Sequence, residues 1–221
     1  MKLFSHKKRP VHLGPYPLER LPRLDDPAAT PGSAGGSRPS EGRTGGPHSA
    51  GHAYELYLGL YDQQRTGEVA EPAPIPDDPA ERAANLKGGL YFLDADMVGC
   101  GVITDDAWLE DRIGGHRFSV VTLVAHSRAV GRDQPGDEWI DGTRQVNADL
   151  RAAELAVITA GYLRRLGFEA VAHTPTATDL NLERVALQCG LIESVRGDLR
   201  APYLDGGFAL SVVSTTMQIA T

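Results

Sequence analysis

The sequence predicts an α+β domain, in which a mixed β-sheet is flanked by helices. One observation is the segment 118–125, which is β-branched and almost wholly apolar, as in a central strand covered on both faces. A second is the segment 143–166, where apolar residues recur with the period of an amphipathic helix. Shorter helical and strand-like segments alternate around these two, so we expect two or three layers of sheet and helices.

The composition divides the 221-residue chain into three parts. Residues 1–26 form an N-terminal arm, with apolar residues placed between prolines. Residues 27–52 are rich in Gly, Pro and Ser and contain almost nothing to bury, so we predict a disordered linker there. Residues 53–221 then form one α/β module, which is an ordinary size for a single domain.

The sequence of the first half of the module predicts two helices followed by a strand. Apolar residues at helical spacing predict a helix over 53–66. Asp77 or Asp78 is a suitable N-cap for a second helix, with Pro79 in its first turn and a body that reaches residue 86. The apolar, glycine-marked segment 90–102 predicts a short strand or a turn-rich stretch, and 105–112 predicts a short helix.

The second half predicts the long helix and the remaining strands. Gly167 ends the helix over 143–166, and a basic pair in its last turn interacts favourably with the helix dipole. Strands are predicted over 168–172 and 208–214, and a helix closed by Gly190 over 180–188.

Charge, apolar runs and cysteine count exclude several classes of protein. The net charge of −7 disfavours nucleic acid as a partner, because phosphate binding needs a positive surface. The sequence contains neither an apolar run of the roughly 20 residues that span a bilayer nor a secretory signal, so we expect a cytoplasmic protein without a membrane segment. With two cysteines the chain cannot hold a [4Fe–4S] cluster by itself, nor a zinc site with several thiolates.

The segment 173–179 is the first candidate binding site, because it joins a strand to the start of a helix. Backbone N–H groups and hydroxyls at such a position suit a ligand that carries phosphate, amide or carbonyl groups. The alternative is that Thr178 or Asp179 only caps the following helix. The candidate cofactor-binding residues are His173, Thr174, Thr176, Thr178 and Asp179.

Two histidines form the second candidate site. His126 follows the strand 118–125, and His173 follows the next predicted strand. If these strands are neighbours, the imidazoles lie close together and an acid–base pair or a metal site becomes conceivable. Because no carboxylate lies at a matching spacing, we assign no metal ligand and no catalytic residue from the sequence.

Several segments form a pattern when they are taken in order. They are HLGPYPLER at 12–20, DPAERA at 78–83, LYFLDADMVG at 90–99, WI at 139–140, RAAELA at 151–156, YLRRLGFEA at 162–170 and HTPTATD at 173–179. Together they resemble the reductive dehalogenases, specifically the oxygen-tolerant cytoplasmic type, and more distantly epoxyqueuosine reductase. The resemblance covers most of 8–24 and 72–221.

The resemblance implies a corrinoid-binding-type domain with a nitroreductase-like fold over 53–221. In that family cobalt reacts with the organohalide, two [4Fe–4S] clusters deliver electrons, and a Tyr with a basic partner supplies the proton. These parts belong to a second half that is expected beyond Thr221, so no catalytic residue is transferred to this chain. The N-terminal half of this subtype resembles a vestigial copy that no longer holds corrinoid.

Three hypotheses follow for the function of the chain. The first is a non-catalytic scaffold half that lacks the iron–sulfur segment and is not active alone, with the missing catalytic half as its partner or a homo-oligomer formed through an exposed apolar face. The second is a stand-alone corrinoid-binding or carrier module, with the loop 173–179 as its site. The third is an unrelated small enzyme that uses His126 and His173.

Overall fold

The structure is a computed structural model of the chain, and it describes residues 49–127, 140, 143–201, 204 and 207–221. The predicted arm, 1–26, lies outside the described residues, as does the predicted linker up to residue 48. Among the described residues, none of the helices is both long enough and apolar enough to cross a lipid bilayer.

Four α-helices and six strands make up the described fold. The helices are α1 (Ala50–Asp62), α2 (Pro79–Phe92), α3 (Thr143–Arg165) and α4 (Leu182–Gln188). The strands are β1 (Met97–Val102), β2 (Phe118–Ala125), β3 (Ala170–His173), β4 (Glu193–Val195), β5 (Asp198–Arg200) and β6 (Phe208–Thr215). A 3₁₀ turn, Asp105–Ala107, follows β1.

The main sheet has the order β1-β2-β6-β3, so β2 and β6 are its inner strands. The α+β prediction is confirmed, and the predicted central strand 118–125 has the bounds of β2. The prediction of a mixed sheet is corrected, because every pairing between the described strands of this sheet is antiparallel. β4 and β5 form a separate two-stranded hairpin.

Helices cover both faces of the main sheet, which gives three layers. On one face α2 and α3 pack against alternate strand residues such as Val120 and Val213. On the other face α4 and the segment around Trp108 pack against the intervening residues, including Val121 and Val212. Alternation of side chains along each strand therefore divides the interior into two apolar cores. Helix α1 packs on α3.

Several predicted boundaries differ from the observed ones. α1 begins at Ala50, inside the segment that was predicted to be linker. α2 continues to Phe92, so the start of the predicted strand 90–102 is helical and only its end is β1. The predicted helix 105–112 is reduced to a 3₁₀ turn, because such short segments take their structure from packing more than from propensity.

The predicted helix ends at Asp78 and Gly167 are confirmed. The Asp78 carboxylate accepts a hydrogen bond from the backbone N–H of Ala80 at 2.9 Å, and Pro79 occupies the first turn. After α3, Gly167 has a φ of +92°, and a Cβ added there would lie 2.6 Å from Cα of Pro72. Both the backbone conformation and the close approach of residue 72 therefore require glycine at 167.

Candidate functional site

The predicted ligand loop 173–179 lies between the edge strand β3 and helix α4. Its five candidate residues differ widely in exposure, and only the middle one is open to solvent. His173 and Thr174 are buried, Thr178 and Asp179 are half-buried, and Thr176 is exposed. A ligand at this loop would therefore meet Thr176 first.

The hydroxyl groups at the centre of the loop are bonded within the protein. Thr174 and Thr176 both donate from Oγ1 to the carboxylate of Asp62 at the end of α1, the latter over 2.7 Å. The backbone N–H of Ala177 donates to Oγ1 of Thr174 over 2.9 Å. These bonds fix the loop to α1, so a ligand that used the same hydroxyls would have to replace them.

The prediction that Thr178 or Asp179 caps the next helix is wrong. Asn181 is the N-cap of α4, and its Oδ1 accepts a hydrogen bond from the backbone N–H of Arg184 at 3.0 Å. Thr178 instead closes a local turn, in which its Oγ1 donates to the carbonyl of Leu180 over 2.7 Å. The helix begins later than predicted, so its cap also lies further along the chain.

Asp179 has a role that was not predicted, as the partner of Arg65. The Arg65 guanidinium forms an ion pair with the Asp179 carboxylate, and its Nε donates to the carbonyl of Ala172 over 2.8 Å. Arg65 lies just beyond α1, so this pair is a second connection between α1 and the end of β3. Because both side chains are partly buried, salt screens this pair less than it screens a fully exposed one.

A chain of hydrogen bonds crosses the buried α4 side of the sheet. The backbone N–H of Asp179 donates to Nδ1 of His173 at 3.2 Å, so the proton of this neutral imidazole is on Nε2. Nε2 lies 2.9 Å from Oγ of Ser214, and this Oγ lies 2.8 Å from Nδ1 of His116. The consistent assignment has His173 donating to Ser214 and Ser214 donating to His116. His116 then directs its Nε2 proton towards Glu169, 3.8 Å away.

Burial keeps the imidazoles of His173 and His116 neutral. Burial lowers the pKa of His173 to about 3, and the charge of Arg65 and the neighbouring His116 act in the same direction. Burial also lowers the pKa of His116, although the Glu169 carboxylate opposes that shift. Neutral imidazoles are the form that the hydrogen-bond chain requires, because each ring accepts a proton at one nitrogen.

The connection Ser214–His173–Asp179 resembles that of a hydrolase triad, but its position does not suit one. In a triad the serine must reach a substrate carbonyl. Here Ser214 and His173 are both 0% exposed, and Ser214 lies in an inner strand of the sheet. The ring of Trp108 packs edge-on against His173, with centroids 6.1 Å apart. Neither Ser214 nor His173 is therefore accessible to a substrate from solvent.

The predicted proximity of His126 and His173 is wrong. The strands β2 and β3 are not neighbours, because β6 lies between them. In the register of the sheet His173 is opposite Val212, whereas the backbone N–H of His126 donates to the carbonyl of Gly207 at 2.8 Å. The two imidazoles are thus separated by a strand and by several residues along it, so they form no shared site.

His126 instead lines a cleft at the end of β2, with a volume of about 410 Å³. Asp96, Ser127, Asn147 and Arg151 contribute its other polar groups. The imidazole lies directly against the backbone of Gly207, where an added Cβ would be 2.6 Å from Nδ1 of His126. The volume is at the small end of the roughly 300–1,000 Å³ that is usual for drug-sized ligands.

The two cysteines lie in different parts of the interior. Cys100 belongs to the core on the α3 side of the sheet, and Cys189 belongs to the core on the α4 side. Within the part of the chain that the structure describes, no three His, Cys, Asp or Glu side chains are grouped so as to hold a metal ion.

Arg65, His116 and Ser214 were not predicted from the sequence as site residues. Their contacts join residues that are far apart in the chain, 98 positions for His116 with Ser214 and 107 for Arg65 with Ala172. The one available signal was the pair of serines, Ser211 and Ser214, in a strand that is otherwise apolar over 208–214. Buried polar side chains usually have a hydrogen-bond partner, as Ser214 does here.

Comparison with solved structures gives the class of protein that this chain resembles. Solved reductive dehalogenases match it over 100% of its length, at 40% sequence identity and a TM-score of 0.82. The predicted resemblance to reductive dehalogenases is therefore confirmed. The chain spans only 31% of the length of these relatives.

One of these relatives is the catabolic reductive dehalogenase NpRdhA, which matches in an N-terminally tagged form and in a complex with 3-bromo-4-hydroxybenzoic acid. A further match is a reductive dehalogenase whose structure is described as suggesting a mechanism for B12-dependent dehalogenation. No protein-family model matches the chain. A search of curated proteins finds no match either.

The residues of the two candidate sites fit a corrinoid poorly. At the loop 173–179, the hydroxyls of Thr174 and Thr176 are bonded to Asp62. At the cleft beside His126, the volume of about 410 Å³ is small for a macrocycle that exceeds drug size. A corrinoid at either place would require rearrangement of the protein.

Proposed function

We propose that this chain is a scaffold half of a reductive dehalogenase-type protein, a corrinoid-domain-like module that supports a catalytic half without carrying out the chemistry itself. The proposal includes a nitroreductase-like fold and a cytoplasmic location, as the sequence resemblance implies. The observation that carries it is the match over 100% of this chain but only 31% of a solved reductive dehalogenase, at 40% identity.

The cysteine content supports a non-catalytic role for this chain. A [4Fe–4S] cluster is normally held by four thiolates, whereas the whole sequence has two cysteines. Both are buried, and they lie in cores on opposite faces of the sheet. Electron delivery of the kind that the resemblance implies would therefore depend on residues outside this sequence.

The internal hydrogen bonds of the polar residues also support a scaffold role. The most conspicuous group, His116, Ser214 and His173, is buried and hydrogen-bonded internally. The loop 173–179 is fixed to α1 through Asp62 and Arg65. These polar residues hold elements of the fold to one another, as expected of a scaffold.

A stand-alone corrinoid-binding or carrier module is the second candidate. It is favoured by the relative described as B12-dependent, which is 40% identical to this chain over its whole length. In this alternative Thr176, the exposed residue of the loop 173–179, makes the first contact with the corrinoid.

Titration of the purified protein with hydroxocobalamin, followed by visible absorbance and calorimetry, separates the two candidates. The scaffold proposal expects no saturable binding up to millimolar ligand. Saturable one-to-one binding with a spectral shift would contradict it and favour the carrier module.

If binding is observed, two matched threonine variants locate it. Thr176→Val removes the exposed loop hydroxyl, and Thr221→Val removes an exposed hydroxyl more than 40 residues further along the sequence. Weaker binding in Thr176→Val alone would assign the loop as the site. Equal binding in both variants would move the site away from the loop.

A further inference from the structure

Helix α1 is apolar on two opposite faces. Leu58 points into the protein and is 4% exposed. Leu56 and Leu60, each two positions from Leu58, lie on the opposite side of the helix, since residues two positions apart are rotated by about 200°. Tyr57 is rotated by about 100° from Leu58 and lies at the edge of that outer side. Leu56, Tyr57 and Leu60 are 67%, 56% and 48% exposed. A helix at the surface of a finished domain normally has charged and polar residues on its outer face.

The neighbouring helix α3 adds two exposed apolar side chains. Ile158 and Tyr162 are 43% and 54% exposed and lie four residues apart, on one stripe of the helix. Glu154 lies one turn earlier on that stripe. Helix α1 packs on α3, and Glu154 lies near Tyr61 at the end of α1, where burial and the charge of Glu154 raise the pKa of Tyr61. We call the five side chains Leu56, Tyr57, Leu60, Ile158 and Tyr162 the α1–α3 face.

The size of the α1–α3 face decides between possible occupants. Large side chains bury roughly 150–250 Å² each, so five that are about half exposed present on the order of 500 Å². A stable complex between separate molecules usually buries about 800 Å² on each partner, so this face alone is small for a homodimer. It is adequate for contact between domains of one polypeptide, which buries roughly 600–1,500 Å² in total.

The length of the relatives identifies such a polypeptide. The chain covers 31% of the solved reductive dehalogenases, so roughly two thirds of their length has no counterpart here. We infer that the α1–α3 face is the docking surface for that remaining part of a reductive dehalogenase, which would meet it with an apolar surface and with acceptors for the Tyr57 and Tyr162 hydroxyls. This inference rests on the proposed function.

A chimeric protein tests the inference. In NpRdhA the region that this chain matches is replaced by this chain, and the same substitutions are made in the chimera and in the isolated protein. Leu60→Glu and Tyr162→Glu alter the α1–α3 face. Leu109→Glu is the matched control, because Leu109 is 53% exposed and its backbone N–H donates to Asp179, beyond the opposite face of the sheet.

We expect the substitutions on the α1–α3 face to change the melting temperature of the chimera but not that of the isolated protein. In the isolated protein all three substitutions leave the melting temperature nearly unchanged, because the side chains are exposed. In the chimera Leu60→Glu and Tyr162→Glu lower it by about 5–10 °C, because a carboxylate would be buried at an apolar contact, and Leu109→Glu does not.

Other results overturn the inference in distinguishable ways. A folded chimera in which Leu109→Glu is the sensitive variant, or in which all three behave alike, would place the contact elsewhere and leave the proposed function standing. A dimer of the isolated protein that Leu60→Glu dissociates in sedimentation would make a second copy the occupant. A wild-type chimera that fails to fold would refute the proposed function itself.

Discussion

The two faces of the main sheet are both buried but are built from different chemistry. On one face the long helix α3 packs small residues, mostly alanines such as Ala152 and Ala156, against apolar strand residues. On the other face the apolar core around α4 is interrupted by the hydrogen-bonded chain of His173, Ser214 and His116. The same four strands therefore support an apolar contact on one side and a polar connection on the other.

The difference shows that burial alone does not say how a face resists substitution. An apolar face loses stability in proportion to the volume that is removed. A buried polar chain depends on each of its donors and acceptors, because an unpaired buried group keeps its full desolvation cost. The α3 face should therefore be sensitive to size, and the α4 face to hydrogen-bond partners and to pH.

The largest effect of a single substitution is expected on the α3 face. Leu163→Ala removes a fully buried side chain and should lower the free energy of unfolding by about 3 kcal/mol, measured by urea denaturation. Ile158→Ala, in the same helix but 43% exposed, is the control and should cost less than about 1 kcal/mol. Equal losses in the two variants would contradict the packing described for α3.

A pH dependence is expected from the α4 face. The pKa of His173 is about 3 in the folded protein, and an unfolded histidine has a pKa of about 6.5. Since the unfolded chain binds the additional proton, this contribution to stability is complete above pH 6.5 and is lost as the pH falls towards 3. The free energy of unfolding should decrease by about 1.4 kcal/mol for each pH unit in that window. His116, whose pKa is also lowered, adds a loss of the same sign.

The variant His173→Gln isolates that contribution. Only the slope of stability against pH is compared, since the variant is expected to be less stable at every pH. A shallower slope between pH 6 and pH 4 supports the assignment to His173. An unchanged slope would mean that other groups cause the acid sensitivity.

Removal of the central hydroxyl should have a smaller effect. Ser214→Ala leaves Nε2 of His173 and Nδ1 of His116 without their shared partner, which should cost about 2 kcal/mol in urea denaturation. Ser194→Ala, at an exposed position of the β4–β5 hairpin, is the matched control and should change stability by less than about 0.5 kcal/mol. A Ser214→Ala protein as stable as the control would show that the hydrogen bonds between His173, Ser214 and His116 contribute little to stability.

The smallest effect concerns the start of α4. Asn181→Ala removes the observed cap and should cost about 1 kcal/mol, whereas Asn181→Asp keeps an acceptor and should cost much less. The comparison is made by thermal unfolding. If both variants lost the same stability, the contribution of Asn181 would come from something other than its cap.

The apolar elements of the fold, strand β2 and helix α3, were largely predictable from the sequence. The segment 118–125 was identified as a strand with its observed bounds, and the helix predicted over 143–166 ends one residue earlier, at Arg165. Both carry long, one-sided or wholly apolar patterns that only one element type satisfies. The hairpin β4–β5 was missed because its residues are mostly polar. Its turn at Arg196 and Gly197, both with positive φ, lacks the usual Asn-Gly signal.

The candidate site was less predictable, for a physical reason. The loop 173–179 was predicted as a connection between a strand and a helix. Its bonds to Asp62 and Arg65 were not predictable, because these partners lie more than 100 residues earlier in the chain. The predicted site of His126 and His173 failed because of the strand order. The two histidines follow strands that are consecutive in the predicted sequence of elements, but β6 lies between these strands in the sheet. Neither long-range contacts nor strand order is encoded in local periodicity.

The connections of α1 to the loop 173–179 have a consequence for its dynamics. Asp62 and Arg65, which make these bonds, both lie at or beyond the C-terminal end of the helix. At the other end Ser49 makes no side-chain capping bond. Amide hydrogen exchange should therefore be graded along this single helix, fast in the turn after Ser49 and slow near Asp62, because local opening starts where the fewest bonds must break.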